Sequence, residues 1–131
     1  MQDVATPAQL AQAQLDAYNA RDLSAFAACY SDDIAVYQYP DQLLYRGQAE
    51  LLERYAKRFA DPLLFAHLAH RSVMGEIVLD QEVVRLTLPE GAGVVHATAI
   101  YRMAEGKICE VRFIYGAKEV GGQLPPSSAA P

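Results

Sequence analysis

Residues 64–118 read LFAHLAHRSVMGEIVLDQEVVRLTLPEGAGVVHATAIYRMAEGKICEVRFIYGAK. This stretch is rich in β-branched and aromatic residues. It is broken at Gly75-Glu76, at Pro89-Glu90-Gly91-Ala92-Gly93 and at Ala104-Glu105-Gly106. Such short breaks between long runs predict an antiparallel meander of four strands, at about 64–74, 77–88, 94–103 and 107–118. If Gly75-Glu76 is a two-residue turn, Met74 faces Ile77 and Arg71 faces Asp80.

Upstream the pattern turns helical. Thr6-Pro7-Ala8-Gln9 is a capping box, so a helix should run to about Ala20 and bury Leu10, Leu15, Ala17 and Tyr18. Gln14 lies one turn from both Leu10 and Tyr18 and is expected to face inward. Asp22 can cap a second helix whose face is Leu23, Phe26, Ala27 and Tyr30. Ile34 to Tyr39 predicts a strand, and Leu43-Leu44-Tyr45 a short return strand before Gly47. A third helix is expected over about 48–60, with Leu51, Leu52, Tyr55 and Phe59 as its apolar face. Glu50–Arg54 and Glu53–Lys57 read as i,i+4 pairs on its wet face. Helices segregated from strands give an α+β domain over 1–120. The segment 121–131, GGQLPPSSAAP, is a low-complexity tail.

Composition bounds the function. The chain has 131 residues, 52% hydrophobic and 21% charged, with net charge −5. That composition is globular, and its sign disfavours general nucleic-acid binding. No apolar run approaches the ~20 residues of a membrane span. The start, MQDVATPAQLAQ, has neither a basic nor an apolar signal-peptide region, so a cytoplasmic protein is expected. Cys29 and Cys109 are far apart and form no CxxC, so two free thiols are expected. His67, His70 and His96 show no ligand spacing, and neither a metal nor another cofactor is expected.

A curved sheet around helices leaves a cavity suited to an apolar small molecule. Alternation places Val78, Asp80, Glu82, Val84 and Leu86 on one face, opposite Phe65, His67, Ala69 and Arg71. The next strand offers Val95, Ala97, Ala99 and Tyr101, whose small members leave room for a ligand. Two carboxylates near an arginine on an apolar face suggest a general acid and base, with Asp80, Glu82 and Arg71 as candidate catalytic residues. The other face of that strand, Ile77, Leu79, Gln81 and Val83, is also mostly apolar. The same three residues could therefore form an ion network on the outside of the sheet.

The layout resembles the nuclear transport factor 2-like (NTF2-like) superfamily, and within it the SnoaL-like and ketosteroid-isomerase-like proteins. The resemblance is carried by Asp22-Leu23-Ser24-Ala25-Phe26, Tyr30-Ser31-Asp32-Asp33-Ile34-Ala35-Val36, Arg46-Gly47-Gln48-Ala49-Glu50-Leu51, and the hairpin from Tyr101-Arg102-Met103 to Gly106-Lys107-Ile108. It implies a cone-shaped fold, three N-terminal helices packed in a curved, mainly antiparallel sheet. It also implies pairing of two copies through the convex sheet face, where Ile100, Ile108 and Ile114 are expected. The isomerases' base falls on Gln38, their oxyanion tyrosine on Gln14 and their oxyanion aspartate near Ala99, so their catalytic groups are missing. Tyr30 and Tyr55 match their supporting tyrosines. Limonene epoxide hydrolase, in the same superfamily, uses an Asp-Arg-Asp network to which Arg71, Asp80 and Glu82 are a chemical analogy. The expected ligand-binding set is Gln14, Tyr18, Tyr30, Gln38, Tyr55, His67, Ala97, Ala99, Tyr101, Val111 and Phe113. Two functions compete on this scaffold: a cofactor-independent acid–base enzyme of the isomerase, dehydratase, cyclase or hydrolase type, and a non-catalytic ligand-binding or interaction module.

Overall fold

The computed structural model describes residues 5–126. Residues 127–131 of the expected tail lie outside them. Three helices come first in the chain, α1 (Pro7–Ala20), α2 (Leu23–Ala28) and α3 (Gln48–Phe59), with β1 (Tyr30–Gln38) and β2 (Gln42–Arg46) between the last two. Four long strands follow: β3 (Phe65–Met74), β4 (Ile77–Leu88), β5 (Gly91–Ala104) and β6 (Lys107–Val120).

Local chemistry explains the helix ends. Thr6 accepts from the Gln9 amide while the Gln9 side chain accepts from the Thr6 amide, closing the capping box. Arg21, in the left-handed conformation, terminates α1. Asp22 then caps α2 by accepting from the Ala25 amide at 3.1 Å.

One six-stranded sheet runs β2-β1-β6-β5-β4-β3. The meander β3–β6 is antiparallel, as the turns predict, but β1 lies parallel to β6 and joins the hairpin to it. The break after Leu88 is shorter than its five residues suggest. Ala92 and Gly93 are already paired with Thr87 and Leu86, leaving Pro89-Glu90 as the turn. Gly93 is required there: an added Cβ would stand 2.6 Å from the Glu119 carbonyl oxygen.

Helices and sheet are tied by half-buried polar clamps. The Asn19 amide donates to the Ala66 carbonyl at 3.0 Å and accepts from the Ala66 amide at 2.8 Å, adding a strand-like rung between α1 and β3. Arg21 donates to the carbonyls of Asp61 and Leu64, both at 2.9 Å. Between the layers sits an aromatic cluster of Tyr18, Phe26, Tyr30, Tyr55 and Phe59, with ring centroids 4.6–6.3 Å apart. Ile108, expected on the convex face, is instead fully buried in this core.

Candidate functional site

The inward face of the sheet is a set of rows fixed by strand register. One row runs Leu68, Glu82, Ala97, Tyr115, and the next runs Arg71, Asp80, Ala99, Phe113. A third runs Val78, Tyr101, Val111, Val36, Tyr45. The Gly75-Glu76 turn sets Met74 opposite Ile77 and Arg71 opposite Asp80, in the expected register.

A β-bulge between Leu68 and His70 changes the other half of β3. Ala69 becomes an extra residue, so Leu68 rather than Ala69 faces Glu82, and Ala66 rather than His67 faces Val84. This turns Ala66 and Leu68 inward and carries His67 and Phe65 to the outer face. The Asn19 clamp holds Ala66 in this setting.

A cavity of about 380 Å³ lies between the helices and these rows. Eight of the expected residues line it: Gln14, Tyr18, Tyr30, Tyr55, Glu82, Ala97, Tyr101 and Phe113. The others do not. His67 is turned out by the bulge. Gln38 is exposed at the end of β1. Ala99 and Val111 are packed beneath their neighbours, each 1% exposed. Asp80 and Arg71 stand behind the wall. Arg71 Nε and a terminal nitrogen grip the two Asp80 oxygens at 2.7 and 2.9 Å, and its other terminal nitrogen donates to Gln12 Oε1 of α1 at 2.9 Å. Helix α1 thus covers this end of the sheet, and Asp80 is 0% exposed.

Glu82 is placed differently. Every sealed side-chain polar atom among the described residues has a hydrogen-bond partner. Among the described residues Glu82 has no hydrogen-bond or ion-pair partner, and it lines the cavity, so its oxygens look onto open space. Ala97 beside it, having no side chain beyond Cβ, leaves that space clear. Burial, followed by the charge of Asp80, pushes the Glu82 carboxyl up from 4.5 to about 7, and Arg71 opposes the shift. The pair behind the wall therefore tunes the carboxylate in front of it.

Tyrosines surround the cavity. Tyr30 donates to Gln14 Oε1 at 3.1 Å, and Gln14 donates to the Ala11 carbonyl at 3.1 Å. Burial, reinforced by the charges of Glu82 and Asp80, holds the Tyr101 phenol far above its ordinary range, so it remains a protonated donor. Tyr18 and Tyr55 are raised first by burial. Among the described residues no three or more His, Cys, Asp or Glu gather as metal ligands. Cys29 and Cys109 are free thiols.

Several lining residues were not expected: Leu44, Tyr45, Arg54, Arg58, Tyr115 and Lys118. For α3 a signal existed. Leu51, Arg54, Tyr55 and Arg58 fall at i, i+3, i+4, i+7, one helical stripe that includes the apolar face. Of the two expected ion pairs on that helix, Glu50–Arg54 forms at 3.1 Å.

Residues 11–111 match the SnoaL-like domain. The chain belongs to the SnoaL-like domain family. Solved structures agree with this NTF2-like fold. An uncharacterised cystatin-fold protein from Novosphingobium aromaticivorans superposes with TM-score 0.76 at 24% identity, covering 84% of this chain and 98% of that one. The epoxide hydrolase/cyclase-like enzyme SalBIII, of pyran ring formation in the polyether salinomycin, superposes at 0.75 with 16% identity over 84% and 90%. A putative polyketide cyclase from Pseudomonas putida superposes at 0.70 with 25% identity over 86% and 92%. No curated protein matches the chain. A SnoaL-like scaffold accommodates several chemistries, so the family membership leaves the reaction to the site itself.

Proposed function

We propose that this SnoaL-like chain is a cofactor-independent acid–base enzyme acting on a mostly apolar metabolite, with Glu82 as its proton-transferring group. The observation that carries the reading is the unpaired Glu82 carboxylate facing an aromatic cavity. A carboxyl titrating near neutrality can hold a proton or accept one at working pH, which is what general acid–base catalysis needs. The protonated Tyr101 phenol supplies a donor for negative charge developing on a substrate oxygen. Asp80 and Arg71 are positioning residues: they touch no substrate and set the affinity of Glu82 for its proton. Isomerisation, cyclisation, dehydration and hydrolysis all fit this arrangement, and the likeness to SalBIII and to a putative polyketide cyclase favours cyclic or ring-forming substrates.

The test begins with a thermal-shift screen of polyketide-like, terpenoid and steroid compounds, in which a ligand at about 100 times its Kd stabilises by about 2.7 kcal/mol. Turnover of each ligand by Glu82→Gln is then compared with wild type. The expected loss is about 10²–10⁴-fold with ligand binding retained. If Glu82 is the base, wild-type kcat/KM should rise with pH to a plateau above about 7, the value to which its carboxyl is pushed. Unchanged turnover in Glu82→Gln refutes the mechanism. Binding without any turnover across the screen leaves the fold as a ligand-binding module.

A further inference from the structure

The cavity is apolar and aromatic in its walls but cationic where it opens. Its charged lining residues are Arg54, Arg58 and Lys118 against Glu82 alone, although the chain carries 11 basic and 16 acidic residues. Arg54 and Arg58 stand one turn apart on α3, where like charges repel. Lys118 reaches the cavity from β6, three residues beyond Tyr115 and in register with Val95.

Of the three cations, only Arg54 is paired with one of the protein's own acids among the described residues. Arg54 pairs with Glu50 on the solvent side, both side chains being 49% exposed, and its guanidinium lies 4.3 Å over the Tyr45 ring. Arg58 lies 5.7 Å over the Tyr55 ring, and neither it nor Lys118 forms an ion pair among the described residues. Burial raises the Tyr115 phenol above its ordinary range, and the charges of Arg58 and Arg54 oppose that shift. Complementing the α3 dipole would account for Lys57 and Arg58 in its last turn. It accounts for neither Arg54 nor Lys118.

Glu82 belongs to the other pole. Burial and then the charge of Asp80 raise its carboxyl, and Arg71 opposes the shift. The site is therefore bipolar, with a proton-transferring carboxyl on the sheet wall and a guanidinium pair at the entrance.

We propose that the ligand is an amphipathic carboxylate, its apolar body filling the cavity and its carboxylate held at the mouth by Arg58 with Arg54 and Lys118. The proposal rests on the small-molecule reading of the cavity and names the substrate class. Planar guanidinium groups match a carboxylate with paired hydrogen bonds. Anchoring there keeps the ligand's charge away from Glu82 and fixes which end of the body meets it.

The test is calorimetric binding to the full chain of three compounds of one shape and different charge: phenylbutyrate, phenylbutyramide and phenylbutylamine, at about pH 8 and low salt. Phenylbutyrate should bind about tenfold more tightly than the amide, with the amine weakest. The preference should shrink in high salt. Arg58→Gln should bring phenylbutyrate to the affinity of the amide while leaving the amide unchanged. Lys118→Gln should act in the same direction and keeps the helix intact. Equal or tighter binding of the amide by wild type, or a preference that survives both substitutions, overturns the proposal while leaving the cavity reading in place. Failure of all three compounds to bind overturns both.

Discussion

Replacing Glu82 with Gln should make the protein more stable, and increasingly so as pH rises. The carboxyl is pushed from 4.5 to about 7 by burial and by the neighbouring Asp80 charge. A raised carboxyl means that between these values the folded state binds more protons than the unfolded state, so stability falls as pH rises. The destabilisation is absent below about pH 4 and complete above about pH 8. A tenfold change in proton affinity corresponds to about 1.4 kcal/mol, so the full effect is at most about 3.5 kcal/mol, and water admitted to the cavity screens part of it. Glutamine keeps the shape and removes the titration. Urea unfolding of wild type and Glu82→Gln at pH 4.5, 6 and 8 reads the effect directly, because every other titrating group contributes nearly equally to both. The stability difference between variant and wild type should grow from near zero to about 2–3 kcal/mol across that range. A difference that stays within about 0.5 kcal/mol at all three pH values would show a fully solvated carboxylate and refute the desolvation argument.

Arg71→Leu strands the fully enclosed Asp80 carboxylate and should cost on the order of 3–5 kcal/mol in urea unfolding, whereas the double replacement Arg71→Leu with Asp80→Leu should recover much of that loss. A single-variant cost below about 1 kcal/mol would place the pair in solvent. Ala97→Phe fills the space beside Glu82, so it should abolish the thermal shift given by any cavity ligand; retained binding would put the ligand elsewhere. We expect a homodimer formed through the outer sheet face, where Leu79 and Ile114 are 36% and 42% exposed and Ile100 lies beside Leu79 in the ladder. Sedimentation showing a monomer at micromolar concentration, or a dimer untouched by Ile114→Lys, would exclude that interface.

What was legible in the sequence is what short-range rules govern. Thr6 and Gln9 are three residues apart, so their reciprocal cap needs no tertiary context. The Arg71–Asp80 pairing follows from a two-residue turn, since the turn alone counts the register outward. The same parity places Asp80, Glu82, Ala97, Ala99 and Tyr101 on one face. Other features were settled by contacts between distant segments. The parallel β1–β6 pairing joins residues about 75 apart in the chain, and no turn announces it. The bulge at Ala69 reversed His67 because alternation has no means of signalling an extra residue, whereas Asn19, 47 positions away, holds Ala66 in place. Two carboxylates alike in sequence parted for the same reason. Asp80 lies under α1, where Arg71 and Gln12 close over it, and Glu82 lies one row further, where Ala97 leaves the wall open. The cationic mouth is likewise tertiary, because α3 and β6, far apart in sequence, meet only when the sheet curls around the helices.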